Sequence, residues 1–395
     1  MPLNRSCPVC GASNAPRLHH QRFALPKDHP LPDAFDIVAC SSCDFVFADS
    51  SAAADDYDNY YTNYSKYADQ TTSTGGGGNP LDLARIEETA REIARHLPSQ
   101  KARIVDIGCA NGGLLAALQK LGYQDLLGVD PSPDCVANTE RLFGISSRQG
   151  SLDSLPNEAN SSDLIILSHV LEHVFAPAEA ISRIRNFLKK DGLIYAEVPD
   201  AARYAQCLAA PFQDFNTEHI NHFGLESLSN LLSLQGFEPV AEGTKTLSIT
   251  ETISYPACFG FFRPAQIRTT RPPLRRAPQF LSSMVSYIAN STAHLERIDY
   301  QLNQVLQGGV IVWGVGQLTL KLLMETSLGS ANIVAFTDSN PLHQEKTLWD
   351  RPILAPENLR ELPPHPVLIG SLLHQDVIEE QIVRLGLSNP VIRLS

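Results

Sequence analysis

One stretch constrains this chain more than any other: Arg103-Ile-Val-Asp-Ile-Gly-Cys-Ala-Asn-Gly-Gly113, followed by the apolar segment Leu114 to Leu121. An apolar run ends in an acid, a glycine-rich turn follows, and then helical periodicity begins. Strand, glycine turn and helix in that order open a doubly wound α/β sheet, whose ligands bind beyond the carboxyl ends of the strands. Gly108 lets the backbone approach a ligand, and Gly112 and Gly113 tolerate conformations closed to residues with a Cβ. A second apolar run, Asp125 to Asp130, ends in a carboxylate placed to accept both hydroxyls of a ribose. An NAD site would share that acid. The loop separates the two, because it holds no GxGxxG to cradle a pyrophosphate and carries polar Asn111 beside its glycines. A nucleoside ligand without phosphate is the expectation, with Asp106 facing its far end.

Around this unit the periodicity sets further elements. Leu83, Ile86, Ala90, Ile93 and Leu97 fall on one helical face ahead of the first strand. Leu225 to Leu234 reads as a helix, and Phe237 to Val240 with Thr246 to Thr252 as a closing hairpin, which ends the domain near Ser254. Between Pro199 and Asn221 the rhythm breaks, which sets Phe212, Phe215 and the Glu218-His219 pair over the strand ends as an acceptor pocket. Further on, a long helix from about Gln279 to Leu306 leads into Val310-Ile-Val-Trp-Gly-Val-Gly316, a helix, and Ile333 to Asp338, a second strand, glycine turn and acid. Pro352 to Pro356, Val367 to Gly370 and Val391 to Arg393 would complete that smaller sheet. Its two-glycine loop lacks the third glycine of a dinucleotide site, and Asp338 reads equally as a strand-end cap.

With 395 residues the chain exceeds one compact core, and the pattern divides it into 1–56, 57–80, 81–254, 255–308 and 309–395. The first segment holds Cys7-Pro-Val-Cys10 and Cys40-Ser-Ser-Cys43. Each CxxC can present two thiolates from one turn, and four thiolates close a tetrahedral zinc shell with no open position for water. The expectation is a structural zinc module, with His19, His20 and His29 inside the gap as possible substitutes for one thiolate. Cys109, Cys135, Cys207 and Cys258 stand alone and read as small buried hydrophobes. The second segment crowds Tyr57, Tyr60, Tyr61, Tyr64 and Tyr67 together before the run Gly75 to Gly78; it reads either as packing or as a lid.

A formal charge of -12 disfavours a surface built to grip nucleic acid. Apolar runs fall short of the roughly 20 residues a membrane span needs, and Cys7 and Cys10 stand where a signal peptide would be apolar, so a cytoplasmic address is expected. Arg263, Arg268, Arg271, Arg275 and Arg276 read as a solvated linker or as an arginine rim for a pyrophosphate.

Four stretches together, Val105 to Gly113, Gly128-Val-Asp-Pro-Ser132, Asp163-Leu-Ile-Ile-Leu-Ser-His-Val-Leu-Glu-His-Val174 and Leu188 to Pro199, resemble the successive motifs of class I methyltransferases. The resemblance implies a seven-stranded Rossmann-like sheet and S-adenosyl-L-methionine as cofactor. It implies the loop Gly108, Ala110 and Gly112, with Asp106, around the methionine part, Asp130 on the ribose, Ser151 and Leu152 near the adenine, and His169 beside the cofactor. In organisation the whole chain is similar to the three-domain sugar C-methyltransferases, with a zinc-binding domain, a methyltransferase domain and a C-terminal Rossmann-like domain. That family carries a Tyr-x-Glu-His cluster that deprotonates carbon 3 of a 4-keto nucleotide sugar. Here Glu218 and His219 match, and Asn216 stands at the tyrosine position. The resemblance therefore implies His219 as general base, Glu218 as its partner and His173 as a second candidate, with a nucleotide sugar as small-molecule acceptor. An O-methyltransferase, a cofactor-binding scaffold without turnover, and an NAD-dependent enzyme using the C-terminal unit are the alternatives.

Overall fold

The computed structural model describes residues 3–63, 80–97, 99–152, 160–248, 253–265 and 272–395. Tyr64, Tyr67, Gly75 to Gly78, Arg268 and Arg271 lie outside the described residues. The chain divides into two compact units: Met1–Leu18, Ile37–Cys207 and Thr217–Met284 form one, and His19–Asp36, Leu208–Asn216 and Val285–Ser395 the other.

In chain order the elements up to the long helix are β1 (Arg17–Arg22), β2 (Ala34–Ala39), β3 (Val46–Asp49), α1 (Ala54–Asn63), α2 (Pro80–His96), β4 (Arg103–Ile107), α3 (Gly113–Lys120), β5 (Asp125–Asp130), α4 (Pro133–Phe143), β6 (Ser147–Gln149), β7 (Ser162–Ser168), α5 (Pro177–Ile184), β8 (Leu188–Pro199), β9 (Asn221–His222), α6 (Leu225–Leu234), β10 (Phe237–Ser248), β11 (Ser254–Pro264) and α7 (Phe280–Val305). The first unit is built on a seven-stranded sheet in the order β10-β11-β8-β7-β4-β5-β6. Its strands from β8 to β6 run parallel, and β11 and β10 are added antiparallel.

Alternation along the strands explains the layering. Val105, Ile107, Ile165 and Leu167 share a core with Ala180, Ile181 and Ile184 of α5 and Leu228, Leu231 and Leu232 of α6. Ile104, Leu164 and Ile166 enter another core with Ile86, Ala90 and Ile93 of α2 and Leu115 and Leu118 of α3. Both faces are covered, which is why the central strands read as continuous apolar runs rather than as alternating ones. The chain moves one way from β4 to β5 and the other way to reach β7, so the order reverses between β4 and β7. A crevice at that reversal is where open α/β sheets bind ligands.

The end of this sheet differs from the sequence expectation. Ser254 begins its last strand rather than ending the domain, since Ala257 to Phe262 pair with β8. Pro256, Gly260 and Pro264 interrupt the β signal, and an antiparallel strand tolerates them at its ends and close approaches. Three of the five arginines, those among the described residues, have local partners. Arg263 ion-pairs with Glu238 across the hairpin at 2.8 Å, Arg275 meets Glu242 at 2.8 Å, and Arg276 donates to the Ser42 carbonyl at 2.6 Å.

A smaller sheet in the order β1-β2-β3-β9 pairs β3 antiparallel with β9, Val46 against His222 and Phe47 against Asn221. That pairing ties the segment after the cysteines to the Glu218-His219 stretch just before β9.

In the second unit, β12 (Gly309–Trp313), α8 (Gln317–Glu325), β13 (Asn332–Thr337), β14 (Thr347–Leu348), β15 (Arg351–Leu354), β16 (Val367–Ile369), α9 (Gln375–Arg384) and β17 (Val391–Ile392) form a six-stranded sheet ordered β14-β15-β13-β12-β16-β17. Asp338 accepts the backbone N–H groups of Val315 and Asn340, each at 2.8 Å, and pairs with His343 at 3.2 Å. Phe212 and Phe215 are buried within this unit, whereas Glu218 and His219 fall in the first. Phe212 stacks on His19 with ring centroids 4.4 Å apart, and Phe215 meets Tyr287 edge-on at 5.1 Å. Among the described residues no helix is long and apolar enough to cross a membrane.

Candidate active site

The loop after β4 is held in conformations that ordinary residues avoid. Gly108, Ala110 and Gly112 have φ of 75°, 47° and 79°, and His169 at the end of β7 has φ of 56°. For the two residues with a Cβ this costs on the order of 1–2 kcal/mol each, and such strain persists where the surroundings enforce a functional geometry. Glycine is required at 108 by space as well, since an added Cβ would come within 2.6 Å of the Val170 side chain. At 112 it would meet Thr139 at 2.7 Å.

Asp130 closes the loop from β5. Its two carboxylate oxygens accept the N–H groups of Ala110 and Ser132, each at 2.9 Å. Burial raises its carboxyl to about 6 against the pull of those two donors. Asp106, wholly buried at the end of β4, is raised to about 8 by burial and by the neighbouring Asp130. Two buried acids, one raised further by the charge of the other, suit a ligand carrying positive charge and hydroxyl donors. Leu152 is 5% exposed and packs with Ile107, Val129 and Leu171, and Ser151 is half-buried beside it.

His169 anchors a chain of buried charges. Its Nε2 lies 3.0 Å from Oε1 of Glu197, and its Nδ1 3.3 Å from Oε1 of Glu172. Burial works against the imidazolium, yet the hydrogen bonds and charge of Glu172 and Glu197 outweigh it and raise His169 to about 9. Glu197 also binds Lys245 and the Tyr195 hydroxyl. Although burial opposes ionisation, Lys245 and His169 hold Glu197 well below the usual carboxylate range.

Beyond His169 the second cluster begins. His173 Nδ1 lies 3.0 Å from the Glu218 carbonyl oxygen and 2.9 Å from the Tyr61 hydroxyl. Its ring meets that of His219 edge-on at 4.9 Å. The Glu218 side chain is 2% exposed and accepts the Tyr60 hydroxyl at 3.1 Å. Glu218, His219 and His173 thus come together, and α1 adds two phenols that the sequence marked only as part of a tyrosine-rich stretch. Asn216 donates its amide to the Gln213 carbonyl at 3.4 Å. Glu172, Glu197 and Lys245 were not singled out by sequence reasoning. Glu172 sits inside the His169 to His173 motif, but nothing in the sequence marks the pairing of Glu197 with His169.

The four cysteines of the N-terminal segment converge. Cys7 and Cys43 sulfurs stand 3.6 Å apart, Cys10 and Cys40 3.5 Å, and all four lie within 4.8 Å of one another. Sulfurs about 2.3 Å from a tetrahedral zinc are about 3.8 Å apart, so the two close pairs already match that spacing and the set as a whole fits the ion with adjustments of at most about 1 Å.

Residues 82–242 match the family model for a methyltransferase domain. They form a methyltransferase domain of the class I fold. Residues 307–392 match a second model, described as C2185-like, N-terminal. The methyltransferase domain is similar to a tRNA U34 carboxymethyltransferase from Desulfotalea psychrophila, 28% identical over 131 residues, 31% of this chain and 41% of that protein. It is also similar to a ubiquinone biosynthesis O-methyltransferase from Cereibacter sphaeroides, 30% identical over 127 residues, 29% of this chain and 51% of that one. Among solved structures, an S-adenosylmethionine dependent methyltransferase from Mesorhizobium loti matches at 18% identity and a TM-score of 0.38, covering 45% of this chain and 99% of that one. The chain spans about half the length of the curated relatives it matches.

Proposed function

We propose that this protein transfers a methyl group from S-adenosyl-L-methionine to a small acceptor, a nucleotide sugar, made nucleophilic by loss of a proton to His219. The cofactor supplies a methyl already activated on a sulfonium, so the protein's task is to orient the acceptor and move its proton. The loop of Gly108, Ala110 and Gly112 with Asp106 would hold the methionine part, Asp130 the ribose, and Ser151 and Leu152 the adenine side. His169 stands at the same strand ends. The four cysteines would hold a structural zinc.

The observation that carries the reading is the gathering of Glu218, His173, Tyr60 and Tyr61 around His219. Removing a proton from carbon next to a ketone needs a base and a partner for the developing oxyanion. Position 216 lacks the tyrosine of the resembling family, and the phenols of Tyr60 and Tyr61 supply that group from α1. Carbon 3 of a 4-keto sugar is accordingly the target atom. A second reading, methylation of oxygen, is favoured by the names of the O-methyltransferase relatives. Acceptors as large as tRNA are disfavoured by the charge of -12.

The test is solvent exchange. A 4-keto nucleotide sugar incubated in deuterium oxide with protein and S-adenosylhomocysteine takes up deuterium at carbon 3 if the cluster removes that proton, and the uptake vanishes in His219→Ala. No uptake, with an O-methyl product forming when the methyl donor is present, establishes the second reading instead.

A further inference from the structure

The turn after β7 and the stretch entering β9 bring Glu172, His173 and His219 together, so that a carboxylate oxygen and one ring nitrogen from each histidine all lie within 4.8 Å of one another. Nε2 of His173 stands 4.0 Å from Oε1 of Glu172. Nitrogen and oxygen ligands about 2.0–2.2 Å from a tetrahedral zinc are about 3.4 Å apart, so a contraction of at most about 1.4 Å closes this set on an ion. We propose that Glu172, His173 and His219 form a second cation site, distinct from the four cysteines, for a divalent ion of the zinc and cobalt class. Filling it stops methyl transfer.

Three observations support the site. Glu172 is 1% exposed, and its Oε2 is buried and receives no hydrogen bond among the described residues. A buried carboxylate oxygen without a donor is costly, and a cation is the ligand that relieves it. Next, the Nδ1 side of His173 faces the Glu218 carbonyl at 3.0 Å. With the proton on Nδ1, the lone pair is on Nε2, toward Glu172, as in histidines oriented for metal by an outer hydrogen bond. Finally, the two segments are fastened together. The Ile220 and Asn221 N–H groups both donate to the Glu172 carbonyl, at 2.9 and 3.1 Å, and the Asn221 side-chain amide donates to the Leu171 and Val174 carbonyls at 2.8 and 2.7 Å. A site built on fixed segments loses little freedom on binding. Both imidazoles are only half-buried, which leaves an approach for the ion. Two nitrogens and one carboxylate select zinc or cobalt over magnesium.

The inhibitory effect rests on the methyl-transfer reading, whereas the site itself does not. A neutral imidazole has one acceptor nitrogen, and a metal bound there takes the lone pair that would receive the acceptor's proton.

Full-length protein carrying one zinc per chain is titrated with cobalt(II) and followed by its absorption. One further equivalent is expected, with ligand-field bands and no thiolate charge-transfer bands, and it is lost in Glu172→Gln and in His173→Ala, whose circular dichroism reports folding. Wild-type protein that takes up no such equivalent, or shows thiolate bands alone, overturns the site whatever the variants do. Turnover is expected to fall at least tenfold with that equivalent and to recover when a mild chelator removes it. Unchanged or faster turnover in the loaded protein overturns the inhibition. A cation-free protein with no turnover counts against methyl transfer, and the spectra then decide the site alone.

Discussion

Asp130 and His169 respond to pH in ways that can be separated. Burial lifts the Asp130 carboxyl to about 6, so the carboxylate that would accept ribose hydroxyls is lost as pH falls through that value. Cofactor affinity measured by calorimetry should therefore rise between pH 5 and 7, and Asp130→Asn should bind at least tenfold more weakly with the rise flattened. For His169 the folded value of about 9 lies above the ordinary 6.5. A raised value means that the protonated form is favoured by folding, so its contribution is complete below pH 6.5 and is lost as pH climbs through about 9. Urea unfolding should show wild type losing its advantage over His169→Gln across that window. At the same scale, Tyr60→Phe removes the hydroxyl donated to the buried Glu218 carboxylate. Taking one donor from a buried carboxylate costs about 1–3 kcal/mol, and turnover should fall at least tenfold while cofactor affinity holds.

Among the elements, the loop between β4 and α3 is the one whose geometry a single atom tests. Gly108→Ala places a Cβ within 2.6 Å of Val170 at a φ of 75°. It should destabilise the fold by about 1–3 kcal/mol and weaken cofactor binding, read by thermal unfolding and calorimetry. This loop, the acid ending β5 and the flanking helices α2 and α6 were legible in the sequence, because strands buried on both faces leave uninterrupted apolar runs and glycine punctuates them. β11 was not, since Pro256 and Pro264 break its pattern while pairing with β8 supplies its stability. The Glu218-His219 pair was visible as a motif, but its companions were not. Tyr60 and Tyr61 lie far from it along the chain, and only the folding of the N-terminal segment onto the β9 stretch brings them near. Phe212 and Phe215 show the opposite: aromatic residues near a motif look like a pocket, yet they and their ring partners His19 and Tyr287 belong to the second unit, and Glu218 and His219 to the first.

For the molecule as a whole, the spacing of the two CxxC pairs announced a closed tetrahedral set, and the four sulfurs do converge. If zinc clamps them, Cys40→Ser should lower the zinc content per chain and reduce the thermal midpoint by several degrees, because metal binding in such small modules is coupled to their folding. The second sheet was also readable, through the repeated strand, glycine turn and acid, whereas the inclusion of His19–Asp36 and Leu208–Asn216 in the second unit was not. What the second unit recognises was not, since its loop carries two glycines and an acid already capped by backbone and His343. Methyl transfer is tested most directly by incubation with isotopically methyl-labelled S-adenosylmethionine and a panel of nucleotide sugars with and without 4-keto groups, followed by mass spectrometry. Label on carbon 3 of a 4-keto sugar, lost in His219→Ala, is the predicted result. No label on any sugar, from protein that binds the cofactor, would contradict it.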